Sequence, residues 1–327
     1  MASFRYRSDR WQARVRRNGY PDETKSFKTR LEAEKWARSV ETDMDRGQFA
    51  SIDEAQRNTL GDLIKRYLSE VTPQMKGASE DTIRLKAIMR RPIAKWSMAN
   101  LSAARIAGYR DDRLQEVSAG TVIRELAYLS AIINHARREW GINVPNPVQL
   151  VRKPQSPQAR SRVLTDEESA KLLQALEPTG RRSHWTKPAV QLALTTAMRR
   201  GELLALRWEN IDLEARTAFL PDTKNGESRM VPLSTAAVQV LAGLTRHISG
   251  MVIPARYFTL DAAFKRGCKR AGLDDVRFHD LRRTAITRMA EKLPNVIELA
   301  AVSGHKSLMV LKRYYQPKAE FLALKLG

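Results

Sequence analysis

The amino-acid sequence predicts a mainly α-helical protein with small β-sheets, an α+β fold, and three observations lead to this prediction. Near the N-terminus apolar and polar residues alternate, which is typical of a strand with one buried face. Further along, apolar residues recur at helical spacing, as they do between Leu60 and Leu68. A later pair of short apolar runs flanks Asn225-Gly226, a dipeptide typical of hairpin turns.

The composition is that of a basic globular protein. Of the 327 residues, 43% are hydrophobic, which is enough apolar material for two or three domains. Lysine and arginine together number 57 against 36 acidic residues, so the formal net charge is +21. This charge favours a polyanionic partner, most simply nucleic acid, over the alternative of a basic protein without such a partner.

Cysteine content and apolar patterning predict the cellular compartment. Cys268 has no second cysteine with which to form an intrachain disulfide, so a reducing environment is expected. Charged residues alternate from Arg5 onward, where a signal peptide would have an apolar segment, and no apolar run is long enough to span a bilayer. We therefore expect a soluble protein of the bacterial nucleoid or host-cell cytoplasm, with no membrane partner.

Residues 1–55 are predicted to form a small sheet covered by one helix. Alternate residues from Trp11 to Val15 are apolar, and a helix begins at Thr29 with a capping box. This pattern directs Arg14 and Arg16 outward, where they contact DNA or simply face solvent.

Residues 56–151 are predicted to form a helical domain, and residues 152–162 a basic, proline-rich linker. Basic residues of the helices, including Arg84 and Lys86, either grip phosphates or are solvated. Arg152 and Lys153 begin the linker, which indicates a domain boundary. Residues 163–327 form the last predicted domain, a mixed α/β unit with a C-terminal tail.

The residues of the last domain that could carry chemistry each have an ordinary structural explanation when taken singly. They are Arg199 with Glu202 at the start of a helix, Lys224 beside the hairpin tip, His279 and Arg282 near one helical face, His305 after a glycine, and Tyr314 beside Tyr315. The other histidines, His135, His184 and His247, lack metal-ligand spacing, so no metal is predicted.

The order of these residues resembles the ordered signature of the tyrosine recombinases, the phage integrase family. The resemblance covers residues 163 to 317 and consists of a first arginine box (Thr196–Leu203), a catalytic hairpin (Thr223-Lys224), a second box (His279–Thr284) and a third (Ser303–Tyr314). Residues 1–55 and 56–151 resemble the arm-binding and core-binding domains of phage integrases. Residues 138–154 are also similar to the shufflon-type DNA invertases.

Three positions depart from the family pattern. Ala197 stands where the family usually has Gly, Ser303 where Leu is common, and Arg283 where His is frequent. None of these changes removes a reacting group. They therefore bear on the detail of the site and leave the class of chemistry as predicted.

The resemblance implies phosphoryl transfer without a metal, ATP or another cofactor. Tyr314 attacks the scissile phosphate and leaves a 3′-phosphotyrosine, and the His-to-Tyr spacing favours it over Tyr315. A free phenol has a pKa of about 10, so forming a phenolate at neutral pH costs about 4 kcal/mol that the site must offset. The implied roles are a phosphate clamp for Arg199 and Arg282, general acid for Lys224, hydrogen bonds to phosphoryl oxygens for His279 and His305, and assistance in proton removal from Tyr314 for His279. Glu202 either orients the site or forms a helix-face ion pair.

The resemblance further implies double-stranded DNA attachment or recombination sites as partners and a homotetramer in the synaptic complex. Accessory DNA-bending proteins stay open as further partners, and residues 317–327 pack either on a neighbouring protomer or on their own domain. The N-terminal module favours an integrase of a phage or mobile genetic element. The alternatives are a shufflon-type invertase, a type IB topoisomerase and a non-catalytic DNA-binding regulator.

Overall fold

The structure is a computed structural model, which describes residues 2–20, 22–45, 52–142, 144–158, 160–180, 182–221, 228–293, 295–312, 314, 323–324 and 326. The chain divides into two compact units, Met1–Ala159 and Arg160–Gly327.

The first unit begins with a three-stranded antiparallel sheet of order β1-β2-β3 and one long helix. The elements are β1 (Ala2–Arg7), β2 (Arg10–Val15), β3 (Glu23–Phe27) and α1 (Arg30–Asp45). Ala13 and Val15 on β2 are fully buried, and Val15 packs against α1. The sequence pattern did not predict β1, because this edge strand is mostly exposed and has no continuous apolar face.

The rest of the first unit is helical. Its helices are α2 (Ile52–Arg57), α3 (Leu60–Glu70), α4 (Ala78–Met89), α5 (Ala103–Glu116) and α6 (Ala119–Glu139). α3 begins with a capping box, in which Thr59 and Asp62 exchange hydrogen bonds. The inward apolar residues of α3 and α6, predicted from helical spacing, lie in one buried cluster. Beyond Val151, the described residues 152–158 form neither helix nor strand.

The second unit surrounds a larger apolar core with helices and carries a second small sheet, of order β4-β5-β6. Its elements are α7 (Asp166–Ala175), α8 (Thr186–Thr196), α9 (Arg200–Ala205), β4 (Ile211–Asp212), β5 (Thr217–Leu220), β6 (Arg229–Pro232), α10 (Thr235–Ala242), α11 (Tyr257–Arg270), α12 (Phe278–Lys292), α13 (Val296–Ser303) and α14 (Leu308–Leu311). The predicted hairpin strands are β5 and β6, whose register pairs Leu220 with Arg229. The tip of that hairpin, residues 222–227, lies outside the described residues.

These elements confirm the predicted α+β class, with helices dominating and two small antiparallel sheets. Cys268 is buried on α11. Within the described part of the chain, no helix is long and apolar enough to cross a membrane.

Candidate active site

The first arginine box is a sharp turn between two helices. α8 ends at Ala197, which adopts the left-handed conformation (φ 54°, ψ 20°) and is fully buried. Arg199 is then extended and caps α9, with Glu202 at the third position of that helix. A residue with a Cβ is strained in the left-handed region, which explains why glycine suits the position of Ala197.

Glu202 is the buried acceptor at the centre of the site. One carboxylate oxygen accepts from the backbone N–H of Arg199 at 2.9 Å and from Nη2 of Arg229 at 2.9 Å. The other accepts from Nη1 of Arg199 at 2.6 Å. Burial alone would raise the pKa of the Glu202 carboxyl, but the hydrogen bond from the Arg199 backbone and the charges of the two arginines hold that pKa below its ordinary value. The ion pair with Arg199, one of the two roles predicted for Glu202, is therefore present.

Arg229 is a residue of this site that sequence reasoning missed. Its Nη1 donates to the carbonyl oxygen of Val302 at 2.7 Å, in addition to its bond with Glu202. A Cβ at Gly304 would lie 2.8 Å from Nε of Arg229, so the arginine packs directly on that glycine. The available signal was strand parity, because Arg229 shares the inward face of β6 with the buried Val231. A basic residue at such a position requires a partner.

Arg282 connects the first and third boxes. It lies on α12, is only 4% exposed, and donates to the carbonyl oxygens of Ala197 at 2.5 Å and Ser303 at 2.7 Å. Burial, and then the neighbouring charge of Arg199, lower the pKa of Arg282 to about 10, which leaves the guanidinium charged at neutral pH. One side chain thus holds the backbone on both sides of the site.

His305 follows a second left-handed turn. α13 ends at Gly304 (φ 68°, ψ 38°), and Nδ1 of His305 then lies 2.8 Å from Oγ of Ser303. Burial is the main cause that lowers the pKa of His305 to about 4, and the positive charges of Arg282 and Arg199 lower it further. The imidazole is therefore neutral at physiological pH.

Tyr314 lies beside these groups. Its ring centroid is 6.0 Å from that of His305, and it packs against an apolar cluster that includes Ala197 and Leu311. The guanidinium carbon of Arg283 lies 5.0 Å from the centre of the Tyr314 ring. Arg283 also donates to the backbone carbonyl of Arg160, which ties the start of this unit to the site.

The remaining predicted site residues either lie at the edge of this group or fall outside the described residues. His279 is exposed at the start of α12, and its charge acts on His305. Lys224 and Tyr315 lie outside the described residues. The structure therefore brings together Arg199, Arg282, His305 and Tyr314 of the six predicted catalytic residues, with His279 at the edge. Among the described residues, no group of histidine, cysteine and acidic side chains has metal-binding geometry.

The predicted DNA-binding residues are partly engaged within the protein. Arg14 and Arg16 both bond to Asp22, at 2.6 and 2.7 Å. Arg84 bonds to Asp81 at 3.2 Å, whereas Lys86 is exposed on the same helix. Arg152 and Lys153, the two linker residues, are exposed.

Two family models match the sequence. Residues 162–320 match the phage integrase family, and residues 56–154 match the phage integrase N-terminal domain. Together they span most of the chain.

Proteins of similar sequence include a putative integrase/recombinase of Haemophilus influenzae, which is 37% identical over 97% of this chain and 88% of its own length. A shufflon-specific DNA recombinase of Escherichia coli is 40% identical over 83% of this chain and 72% of its own length.

Among solved structures, a lambda integrase dimer bound to a COC′ core site has a TM-score of 0.67 and 23% identity, covering 96% of this chain and 94% of that one. A lambda integrase tetramer bound to a Holliday junction has the same TM-score at 22% identity, covering 96% and 94%. At this level of identity, the two structures show a shared fold.

Proposed function

Given that this chain belongs to the phage integrase family and is a tyrosine-type site-specific DNA recombinase, we propose that Tyr314 is its nucleophile. The observation that carries this proposal is the convergence of two box arginines and His305 on the space beside the Tyr314 ring. A phosphate diester bound there would meet positive charge on several sides.

In the proposed reaction, the phenolic oxygen of Tyr314 forms a bond to the scissile phosphorus and the bond from phosphorus to the 5′ oxygen breaks. The products are a 3′-phosphotyrosine and a free 5′-hydroxyl. Because one phosphodiester replaces another, a 5′-hydroxyl from a second strand can reverse the step and join different ends. No metal, nucleotide or other cofactor enters this balance.

In this proposal Arg199 and Arg282 stabilise the negative charge on the phosphoryl oxygens. Guanidiniums are planar forks that stay charged, and preorganised donors of this kind supply several kcal/mol in a water-poor site. Glu202 and Arg229 would act as positioning residues, since they hold Arg199 and the backbone near His305. Arg282 would be held by its two backbone carbonyl bonds.

The departing 5′ oxygen needs a proton, and we assign its delivery to Lys224 from its place in the family motif. His279 and His305 would contact phosphoryl oxygens, and His279 is the residue that the family pattern offers for removal of the Tyr314 proton.

A suicide substrate tests the nucleophile. A nicked site that loses a short fragment on cleavage traps the covalent adduct, which appears as a band of lower mobility under denaturing conditions. Tyr314→Phe should abolish this band and leave DNA affinity nearly intact, while the matched change Tyr315→Phe should retain it. An adduct formed by the Tyr314→Phe protein would overturn the assignment.

DNA binding by the rest of the chain is a further part of the proposal. We infer an arm-type DNA-binding module at 1–55, a core-type domain at 56–151, a linker at 152–162 and a catalytic domain at 163–327. The candidate phosphate contacts of these parts are Arg14, Arg16, Arg84, Lys86, Arg152 and Lys153. Such contacts predict an affinity that falls steeply with salt. The substrate would be double-stranded DNA in the cytoplasm, exchanged within a homotetramer, an assembly that the lambda integrase structure on a Holliday junction supports.

Integration at attachment sites and inversion between repeats would use the same chemistry. The 40% identity with a shufflon-specific recombinase favours inversion as a second candidate. A plasmid assay separates the two, because inverted repeats flanking a marker report inversion and paired attachment sites report integration. Relaxation of supercoiled DNA without strand exchange would instead indicate a topoisomerase.

A further inference from the structure

We propose that Arg283 is a positioning residue for the phenol ring of Tyr314, and that Arg283 is itself held by the segment that enters the second unit at Arg160. The inference rests on Tyr314 being the nucleophile. It adds a residue that acts on the cleavage step through the ring, and it connects the entering segment with that step.

The backbone alone gives Tyr314 little support. Tyr314 lies in a turn beyond α14, a helix of four residues that ends at Leu311, and its backbone N–H donates to the carbonyl oxygen of Leu311 at 2.8 Å. In-line displacement at phosphorus needs the phenolic oxygen in one direction, and a misplacement of about 1 Å can cost on the order of 100-fold in rate. The contacts of the ring therefore decide how well the oxygen is aimed.

Three kinds of contact surround the ring. It packs against apolar side chains that include the fully buried Ala197 and Leu311. The imidazole of His305, which burial keeps neutral, has its centroid 6.0 Å away. The guanidinium carbon of Arg283 lies 5.0 Å from the ring centre, within the distance of about 6 Å at which the face of an aromatic ring attracts a cation. Of the three, only the contact with Arg283 carries a full charge.

The charge of Arg283 has no acidic partner that would draw it away from the ring. Within the described part of the chain, no carboxylate pairs with Arg283, and its Nε is buried without a hydrogen-bond partner. Attraction between a cation and an aromatic ring is stronger where water is excluded. The Tyr314 ring is therefore a principal partner of this guanidinium.

The second partner of the Arg283 guanidinium is the backbone of Arg160, because Nη1 donates to the Arg160 carbonyl oxygen. The Arg160 side chain in turn bonds to both oxygens of Asp280, at 2.9 and 3.0 Å, and to both of Asp275, at 2.9 Å. Asp280 is 3% exposed and lies three residues before Arg283 on α12, so the two share one face of that helix. Arg160 is thus attached to one helical turn at two points.

This attachment makes the entering segment part of the support of the nucleophile. Arg160 is the first residue of the second unit, and its carbonyl oxygen, the Arg283 guanidinium and the Tyr314 ring follow one another in direct contact. A displacement of Arg160 would move the guanidinium and, with it, the ring. We therefore expect the rate of cleavage to depend on Arg160 as well as on Arg283.

Single-turnover cleavage of the suicide substrate tests the contact with the ring. Arg283→Gln retains an N–H donor but loses the charge, whereas Arg283→Lys retains both. At saturating protein, adduct formation should slow by roughly tenfold in Arg283→Gln, and Arg283→Lys should recover part of that loss because an ammonium also binds the face of an aromatic ring. A wild-type rate in Arg283→Gln, or no recovery in Arg283→Lys, would overturn the proposal.

Binding measurements separate positioning from a direct phosphate contact. If Arg283 positions the ring, Arg283→Gln leaves the DNA affinity and its salt dependence unchanged. If Arg283 binds a phosphate, the same change weakens binding and lowers the slope of log affinity against log salt by about 1. This second result would assign Arg283 to DNA and end the positioning role.

Arg288→Gln is the matched control for the loss of an arginine from α12. Arg288 lies on the same helix and also bonds to the start of the unit, at 2.7 Å to Asp166 and 2.9 Å to Ser169. Its replacement should leave the cleavage rate unchanged. If Arg288→Gln slowed cleavage as much as Arg283→Gln, the effect would not be specific to the ring contact, and the proposal would fail.

A double-mutant cycle tests the connection through Arg160. Arg160→Gln removes the pairs with Asp275 and Asp280, so it should slow cleavage several-fold. In a protein that already carries Arg283→Gln it should add little, because both changes remove the same support. Urea denaturation checks that each variant is folded under the assay conditions. Fully additive losses would disprove the connection.

Failure of the proposed function would give a different result. If the wild-type protein formed no adduct, the function would be wrong, and if Tyr314→Phe still formed one, the nucleophile would be wrong. An adduct that is lost in Tyr314→Phe but forms at the wild-type rate in Arg283→Gln would refute only the role of Arg283.

Discussion

Two regions of this protein place two arginines on one carboxylate, and they differ in almost everything else. On the N-terminal sheet, Asp22 accepts from Arg14 and Arg16 at 2.6 and 2.7 Å, and all three side chains are 41% exposed or more. In the candidate active site, Glu202 accepts from Arg199 and Arg229 at 2.6 and 2.9 Å, and its side chain is 4% exposed.

The difference shows what burial adds to the same residue types. Exposed ion pairs contribute about 0–1 kcal/mol and are screened by salt, so the arginines around Asp22 can exchange it for a phosphate. Buried pairs are strongly coupled to their surroundings, because removing one partner leaves a charge without compensation. We therefore expect the first cluster to tune binding and the second to hold geometry.

The largest effect is expected for Glu202→Gln. This change leaves the partly buried guanidiniums of Arg199 and Arg229 without a carboxylate, so the free energy of unfolding should fall by about 3 kcal/mol and adduct formation by on the order of 100-fold. Urea denaturation measures the free energy of unfolding, and the suicide substrate measures adduct formation. If Glu202→Gln lowered the free energy of unfolding no more than Asp22→Asn does, burial would not distinguish the two clusters.

The next largest effect is expected for Gly304→Ala, because this change would displace the side chain of Arg229 without removing a charged group. The new Cβ would lie 2.8 Å from Nε of Arg229, in a left-handed backbone of φ 68°. The matched control is Gly272→Ala, which has φ 67° and nothing within 4 Å of its Cβ. Both should lose about 1–2 kcal/mol of stability from the backbone, and only Gly304→Ala should also lose roughly tenfold or more in cleavage rate. Equal cleavage by the two variants would show that the packing of Arg229 is unimportant.

Acid should weaken the buried cluster in a defined direction. The pKa of Glu202 is lowered from the ordinary value of 4.5, so its contribution to stability is fully present above that value and is lost as pH falls through the lower folded-state pKa. The stability difference between wild type and Glu202→Gln should therefore narrow on acidification below pH 4.5. Denaturation curves between neutral and acid pH measure it, and a constant difference would contradict the cause assigned to the shift.

The smallest effect on stability is expected for Asp22→Asn, at less than about 1 kcal/mol. Removing the shared carboxylate should raise DNA affinity a few-fold and steepen its dependence on salt, because Arg14 and Arg16 then bond phosphates without a competitor. Glu34→Gln is the control, since it removes one acid from α1 on the same module. Affinity that falls in Asp22→Asn, or rises equally in Glu34→Gln, would argue against a DNA-binding role for this face.

Local chemistry explains which parts of the fold could be predicted from sequence. The capping box at Thr29 and the strands around Asn225-Gly226 depend on neighbours a few residues away, which a sequence pattern can reveal. The ordered boxes likewise indicated Arg199 and Arg282, because their spacing resembles one family.

Long-range pairing explains most of what could not be predicted. Arg160 stood in the sequence as one more basic linker residue, yet it bonds to Asp275 and Asp280 at 2.9 Å, more than a hundred residues away. The contact between Ser303 and His305 is local, but no residue pattern reveals that the hydroxyl of Ser303 also bonds to the carbonyl oxygen of Leu299. Arg229 was visible only through strand parity.

The most direct test of the central claim is to identify the residue that carries the DNA. Wild-type adduct from the suicide substrate, digested with protease and nuclease, yields a peptide with a residual nucleotide that fragmentation mass spectrometry can place. We predict a 3′-phosphate ester on Tyr314. A nucleotide on Tyr315, or on any residue other than Tyr314, would contradict it.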